Sequence, residues 1–174
     1  MPINKNRNYY GGRDRYPIVI LALSTGARLG EITSLSWENI DFDRGQIVLH
    51  ETKNNERRVL PLAGHAMNIL KDWSKVKRID TPLLFPNSKY SDKPIDIRSP
   101  WNTAVEKAEL EDFNFHDLRH SAASYLAMNG ASLSEIAEVL GHKTLQMVKR
   151  YAHLSEAHTS SVVASMNKRI FGDG

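Results

Sequence analysis

The chain has 174 residues, about one domain's worth and enough to enclose a hydrophobic core. It is 41% hydrophobic and 25% charged, with 10 glycines and 7 prolines, as in an ordinary globular protein, and no apolar run approaches the roughly 20 residues that span a bilayer. The absence of cysteine excludes a disulfide framework and a thiolate metal site, and the polar, basic start MPINKNRNYYGGRDR lacks the apolar stretch of a secretory signal. A net charge of +3, from 23 Lys and Arg against 20 Asp and Glu, points only weakly to a nucleic-acid partner, so the placement of the charges has to decide.

Residues 1–12 read as a linker or N-terminal arm carrying Lys5, Arg7 and paired Tyr9 and Tyr10. From Asp14 the apolar spacing of Ile18 and Leu21, with Val19, Ile20, Ala22 and Leu23 beside them, predicts a central helix closed by Gly26. A second helix starts near Arg28, with Leu29, Ile32 and Leu35 at helical spacing and Glu31 one turn beyond the arginine. Trp37–Asp41 leads into two strand-like runs, Gln46–Glu51 and Arg57–Leu62, which form a β-hairpin with Lys53 at its mouth.

An amphipathic helix follows over Ala63–Lys77, with Ala66, Ile69, Leu70 and Trp73 on one face and cations at its end. The prolines of 79–97 predict a long irregular connection, and Ser99–Leu110 a further helix with Trp101, Val105 and Ala108 inward. His116–Tyr125 reads as helix, His116 and Arg119 sharing a face, with Tyr125, Leu126 and Met128 serving the core and Asn129-Gly130 closing it. Ser132 and Glu135 form a capping box for a short helix that stops at Gly141, which leaves His142 in a tight turn. Thr144 opens a helix carrying Met147, Val148 and Tyr151, and Ser155–Phe171 has the apolar spacing of a last one. The pair at 132–152 imitates a helix-turn-helix reader offering Gln146, Lys149 and Arg150 to DNA, a weak signal because all-α domains often contain such hairpins.

The reactive side chains from His116 to Tyr151, two imidazoles, a guanidinium and a phenol, suit an anion that is clamped, attacked and protonated. A DNA phosphodiester fits. Its non-bridging oxygens match the planar fork of an arginine, and Arg28 and Arg119 come from separate helices. Its departing 5′ oxygen needs a proton, which Lys53 or a histidine can give. Without cysteine, and with no serine in a hydrolase-type turn, Tyr151 is the natural nucleophile, and its phenol, with an ordinary pKa of ~10, needs a neighbouring cation or base such as Arg119 or His116. No histidine pair has flanking carboxylates at metal-ligand spacing, so neither metal nor cofactor is called for.

These segments together resemble the catalytic domain of the tyrosine recombinases, the phage-integrase family. TGARLGEITSLSW (25–37) is similar to the family's first-arginine box, with Arg28 and its acidic companion Glu31. TKNNERRVLPL (52–62) resembles the hairpin that carries the lysine, here Lys53. HDLRHSAASYLAMNG (116–130) resembles the HxxR box, with His116, Arg119 and the adjoining His120. LGHKTLQMVKRYAH (140–153) resembles the third box, with His142 and the nucleophile Tyr151.

The resemblance implies an α+β, mainly helical catalytic domain over 13–174 with a small antiparallel sheet at one edge, and the family's N-terminal core-binding domain absent, as in a fragment. It implies transesterification on double-stranded DNA through a 3′-phosphotyrosyl link, without cofactor. Arg28, Arg119 and His142 would hold the phosphate, Lys53 would be the general acid, His116 would assist proton transfer beside Tyr151, and Glu31 and His120 would be supports. It further implies a tetramer on paired DNA sites in the bacterial cytoplasm, with the apolar stripe of 155–171 either docking on a neighbouring protomer or folding back on its own domain. The competing expectations are a type IB topoisomerase-like nicking and resealing enzyme, a DNA-binding module without catalysis and, least favoured, a metal-dependent nuclease.

Overall fold

The computed structural model describes residues 15–50 and 57–172. Helix α1 (Arg15–Thr25) is the centre of the packing, with Ile18, Leu21 and Ala22 fully enclosed and neighbours in α3 and α5. It ends where Thr25 Oγ1 donates to the Leu21 carbonyl and Gly26 turns left-handed at φ +62°. A side chain there would put its Cβ 2.4 Å from Leu140 Cδ2, so glycine answers both the turn and the close approach. Helix α2 (Leu29–Thr33) follows at once, with Arg28 at its N-cap.

The predicted hairpin is part of a three-stranded antiparallel sheet in the order β1 (Ile40–Asp41), β2 (Gln46–Leu49), β3 (Arg58–Pro61). Its register sets Ile40 opposite Ile47, Ile47 opposite Leu60 and Leu49 opposite Arg58, so Ile47, Leu49 and Leu60 share the covered face. The two-residue β1 was not expected, being too short to show an alternation. Lys53 lies outside the described residues.

Helix α3 (Gly64–Ser74) buries Ala66 and Leu70 against α1, and its Trp73 indole donates to the Leu84 carbonyl. The expected irregular connection is anchored by Leu84 N–H to the Leu35 carbonyl at 2.7 Å and Trp37 N–H to the Pro82 carbonyl at 3.0 Å, with Leu84 and Phe85 buried. Helix α4 (Arg98–Lys107) rests through Trp101, edge-on to Phe115 at 5.0 Å, while Ala108 is exposed rather than inward.

Helix α5 (Asp117–Met128) crosses the molecule and α6 (Leu133–Leu140) returns along it, opened by the Ser132–Glu135 capping box and closed by left-handed Gly141. Two expectations about α5 fail: Tyr125 is 64% and Met128 57% exposed, because Leu118, Ala122, Ala123 and Ala127 form the covered stripe and those two fall outside it. The stretch after Thr144 is also not an α-helix but two 3₁₀ segments, Leu145–Met147 and Lys149–Ser155. Buried Val148 and Tyr151 pin this tighter chain to α5 and α6, while Gln146, Lys149 and Arg150 point to solvent. Helix α7 (Glu156–Phe171) then runs out from the domain, His158 crossing Gly130 while Val162, Val163, Met166 and Ile170 stay exposed. Among the described residues no helix is long and apolar enough to cross a membrane.

Candidate active site

Arg28 stands in extended backbone at the start of α2, where Glu31 folds back over it. One carboxylate oxygen accepts the Arg28 backbone N–H and the other its Nη1, both at 2.8 Å, which leaves the rest of the guanidinium free to meet an anion in a half-exposed position. Burial pushes the Glu31 carboxyl up, but the Arg28 N–H and the charges of Arg58 and Arg28 outweigh it and hold the group below its ordinary value. It therefore stays an anion and keeps both arginines in place.

Arg119 is only 3% exposed, one turn into α5. Its Nη1 donates to the Gly26 carbonyl at 2.6 Å and its Nη2 to the Leu140 carbonyl at 2.5 Å, which ties the end of α1 to the end of α6. Burial, then the charges of Arg28 and Arg58, bring it down to about 10, so it remains a cation at neutral pH. Two carbonyl bonds use one N–H on each terminal nitrogen, and the remaining N–H groups can meet an anion.

The left-handed turn at Gly141 carries His142, whose backbone N–H returns to the Ala137 carbonyl at 2.8 Å. Its Nδ1 is buried without a partner among the described residues. Burial, with Arg119, Arg28 and Arg58 around it, pushes the imidazole down to about 4, so at neutral pH it is uncharged. A neutral imidazole among three cations is a hydrogen-bond partner rather than an additional charge.

Tyr151 is 6% exposed, and its Oη lies 2.6 Å from His120 Nδ1. Arg150 and Arg119 favour the phenolate, yet burial dominates and holds the phenol above its ordinary value. Nearby cations therefore do not ionise Tyr151 by themselves, and a proton acceptor is needed. Within hydrogen-bond reach the acceptor is His120, the residue expected only as a support. His116 stands edge-on to His120 with ring centroids 5.0 Å apart, pushed down by burial and by His120, Arg119 and Arg28.

The structure thus brings Arg28, Glu31, Arg119, His120, His142 and Tyr151 into one constellation, with His116 at its rim. Reasoning from sequence missed Arg58, which donates to Glu31 and to the Leu140 carbonyl. A signal was present: in RRVLPL the inward parity of Leu60 and Leu62 includes Arg58. Among the described residues no group of three or more His, Cys, Asp or Glu side chains is placed to hold a metal ion.

The sequence profile of the Phage integrase family matches residues 4–158. The chain belongs to the phage integrase family. Relatives within it include the shufflon-specific DNA recombinase of Escherichia coli, 36% identical over 80% of this chain and 34% of the relative. The integrase of Salmonella phage P22 is 34% identical over 89% of this chain and 43% of its own length. The chain therefore spans between a third and a half of these two integrase-family relatives. Among solved structures, the catalytic domain of bacteriophage HP1 integrase superposes with a TM-score of 0.66 at 27% identity, covering 92% of this chain and 86% of that domain. The XerH recombinase bound to difH gives a TM-score of 0.70 at 23% identity over 92% of this chain and 49% of that one, a likeness of fold. The α+β catalytic-domain fold of the tyrosine recombinases, expected from the four boxes, is the fold observed.

Proposed function

We propose that this chain is the catalytic domain of a site-specific DNA recombinase that cuts and rejoins strands by transesterification. The observation that carries the proposal is the Tyr151 hydroxyl on His120 at 2.6 Å, in a site where Arg28 and Arg58 share one carboxylate and Arg119 meets only backbone carbonyls, which leaves an excess of positive charge for a phosphate. With His120 Nδ1 unprotonated, the phenol donates to it. Tyr151 Oη attacks phosphorus, the Oη–P bond forms as P–O5′ breaks, and the phenol proton passes to His120, with His116 next in reach. Arg28, Arg119 and neutral His142 hold the non-bridging oxygens as charge grows on them. Lys53, by the family resemblance, protonates the departing 5′ oxygen. A 5′-hydroxyl then attacks the phosphotyrosyl bond in reverse, so the bond's energy is conserved and no nucleotide is consumed.

Double-stranded DNA is the substrate in this scheme, which places the protein with DNA in the bacterial cytoplasm. The outward apolar residues of α7 suit self-association on paired sites, completing a tetramer.

The test uses a duplex selected from a random pool for binding to this chain and nicked so that the 5′ fragment diffuses away. A covalent protein–DNA band that forms in chelator and vanishes in Tyr151→Phe is expected. A bound duplex that yields no band, or a band that survives Tyr151→Phe, contradicts the proposal. Relaxation of supercoils without exchange between duplexes would favour the topoisomerase-like alternative.

A further inference from the structure

Strand β3 alternates cleanly: Arg57, Val59 and Pro61 are exposed, whereas Leu60 and the following Leu62 are buried and Arg58 shares their face. A guanidinium turned inward from a sheet needs partners to offset its desolvation. Arg58 has two, on different elements: Nη2 donates to Glu31 Oε2 at 2.8 Å and Nη1 to the Leu140 carbonyl at 2.6 Å, with the side chain 10% exposed.

Both partners also serve the proposed phosphate clamp. Glu31 holds Arg28 through the backbone N–H and Nη1, and the Leu140 carbonyl accepts Arg119 Nη2 as well. The chain then turns at Gly141, where a Cβ would lie 2.4 Å from Arg58 Nη1, and the next residue is His142. One fork thus touches the support of each phosphate-facing arginine and the turn that carries His142.

We infer that Arg58 is a positioning residue that sets Arg28, Arg119 and the His142 turn in the geometry that receives the scissile phosphate. It is not itself a phosphate ligand: its charge is paired with the Glu31 carboxylate in a side chain far more enclosed than that of Arg28, whereas Arg119 meets only backbone carbonyls and keeps its charge for the phosphate. Without it Glu31 would draw on Arg28 alone and the Leu140 carbonyl on Arg119 alone, and both guanidiniums would shift toward those supports. A displacement of that kind acts on the transition state more than on overall DNA binding.

This inference rests on the proposed recombinase chemistry, so the experiment separates the two. Single-turnover adduct formation is measured for wild type, Arg58→Met and Arg58→Lys on the nicked duplex. It is repeated on a duplex whose scissile phosphate is a methylphosphonate, in which a methyl group replaces one non-bridging oxygen and removes the charge that the arginines neutralise. No adduct with wild type means the recombinase chemistry itself fails.

If wild type cleaves, Arg58→Met should be slower by about 100-fold on the phosphodiester, the penalty of a small misplacement of reacting groups. Its dissociation constant for DNA should stay near wild type, and its deficit should shrink on the methylphosphonate, where clamp geometry matters less. Arg58→Lys, which keeps the charge but not the fork, should fall in between. A wild-type rate in Arg58→Met, or the same fold-loss on both duplexes, overturns the inference. Should Arg58→Met fail to fold by circular dichroism, Arg58→Lys is judged by the same two-duplex criterion. Failure of both variants to fold would make Arg58 a purely structural pin and also overturn it.

Discussion

The molecule has two apolar clusters of different build, and the polar site lies on the seam between them. The first gathers large side chains such as Ile18, Leu21, Ile47, Leu60, Leu70 and Phe85 from α1, α3, the sheet and the 81–97 connection. The second is Ala123, Ala127, Ile136, Ala137, Leu140, Val148 and Tyr151, drawn from one short run of chain and thinner because alanines let α5 and α6 approach closely. Helix α5 belongs to both, Leu118 to the first and Ala123 to the second, with Arg119 and His120 in between. Arg28 and Glu31 are thus mounted on the thick cluster, and Tyr151 and His142 on the thin one. The bonds of Arg119 to the Gly26 and Leu140 carbonyls cross the seam. Arg28 and the proposed nucleophile Tyr151 therefore stand on separate clusters, held in register by guanidinium–carbonyl bonds.

That division can be broken from the nucleophile side. His120→Phe removes the acceptor at Tyr151 without touching the clamp, so single-turnover cleavage should fall by about 100-fold, the low end for general base catalysis, while DNA binding persists. The deficit should narrow only as pH rises past ~10, because burial holds the phenol above its ordinary value and unaided ionisation comes later. Equal cleavage in the variant at neutral pH would remove His120 from the chemistry.

The seam should also be visible in stability against pH. His142 is held at about 4 against an ordinary 6.5, by burial first and then by the three arginines. Below 6.5 the unfolded chain takes up that proton while the folded chain resists until about 4. Stability from this group is therefore complete above 6.5 and lost as pH falls through that window. His142→Gln should flatten the melting temperature against pH there, and an unchanged slope would mean that the cations do not press on His142. Glu31, held below its ordinary 4.5, adds its own loss as pH falls below that value, at the acid end of the same window.

The smallest effect on the fold belongs to α7, which lies outside both clusters. Val162→Asp with Met166→Asp should change stability by no more than about 0.5 kcal/mol, as at an exposed surface, yet reduce self-association on DNA measured by sedimentation. A large loss of stability would show that α7 packs on its own domain.

Most of this organisation could be read from the residues. The helical spacing of Ile18 and Leu21 and the capping box at Ser132 placed α1 and α6, and the arginine and histidine boxes named residues that the fold brings together. The errors have physical causes. Large side chains favour cores, yet Tyr125 and Met128 fall outside the stripe that Leu118 and the alanines of α5 cover. The 144–152 stretch keeps apolar residues at helical spacing but is drawn into 3₁₀ turns by the anchoring of Val148 and Tyr151. The acceptor roles of the Gly26 and Leu140 carbonyls were illegible, since every residue carries the same backbone oxygen and only the fold selects two of them. The inward parity of Arg58 is legible in RRVLPL, although an arginine in a hairpin is usually solvated.

The central claim is that the Tyr151 oxygen becomes the bond to DNA phosphorus. Its most direct measurement is mass spectrometry of the trapped adduct after protease and nuclease digestion. A nucleotide mass on the peptide that contains Tyr151, with fragment ions placing it on that phenol, is the predicted result. The same mass on another side chain, or an adduct peptide without Tyr151, would contradict it.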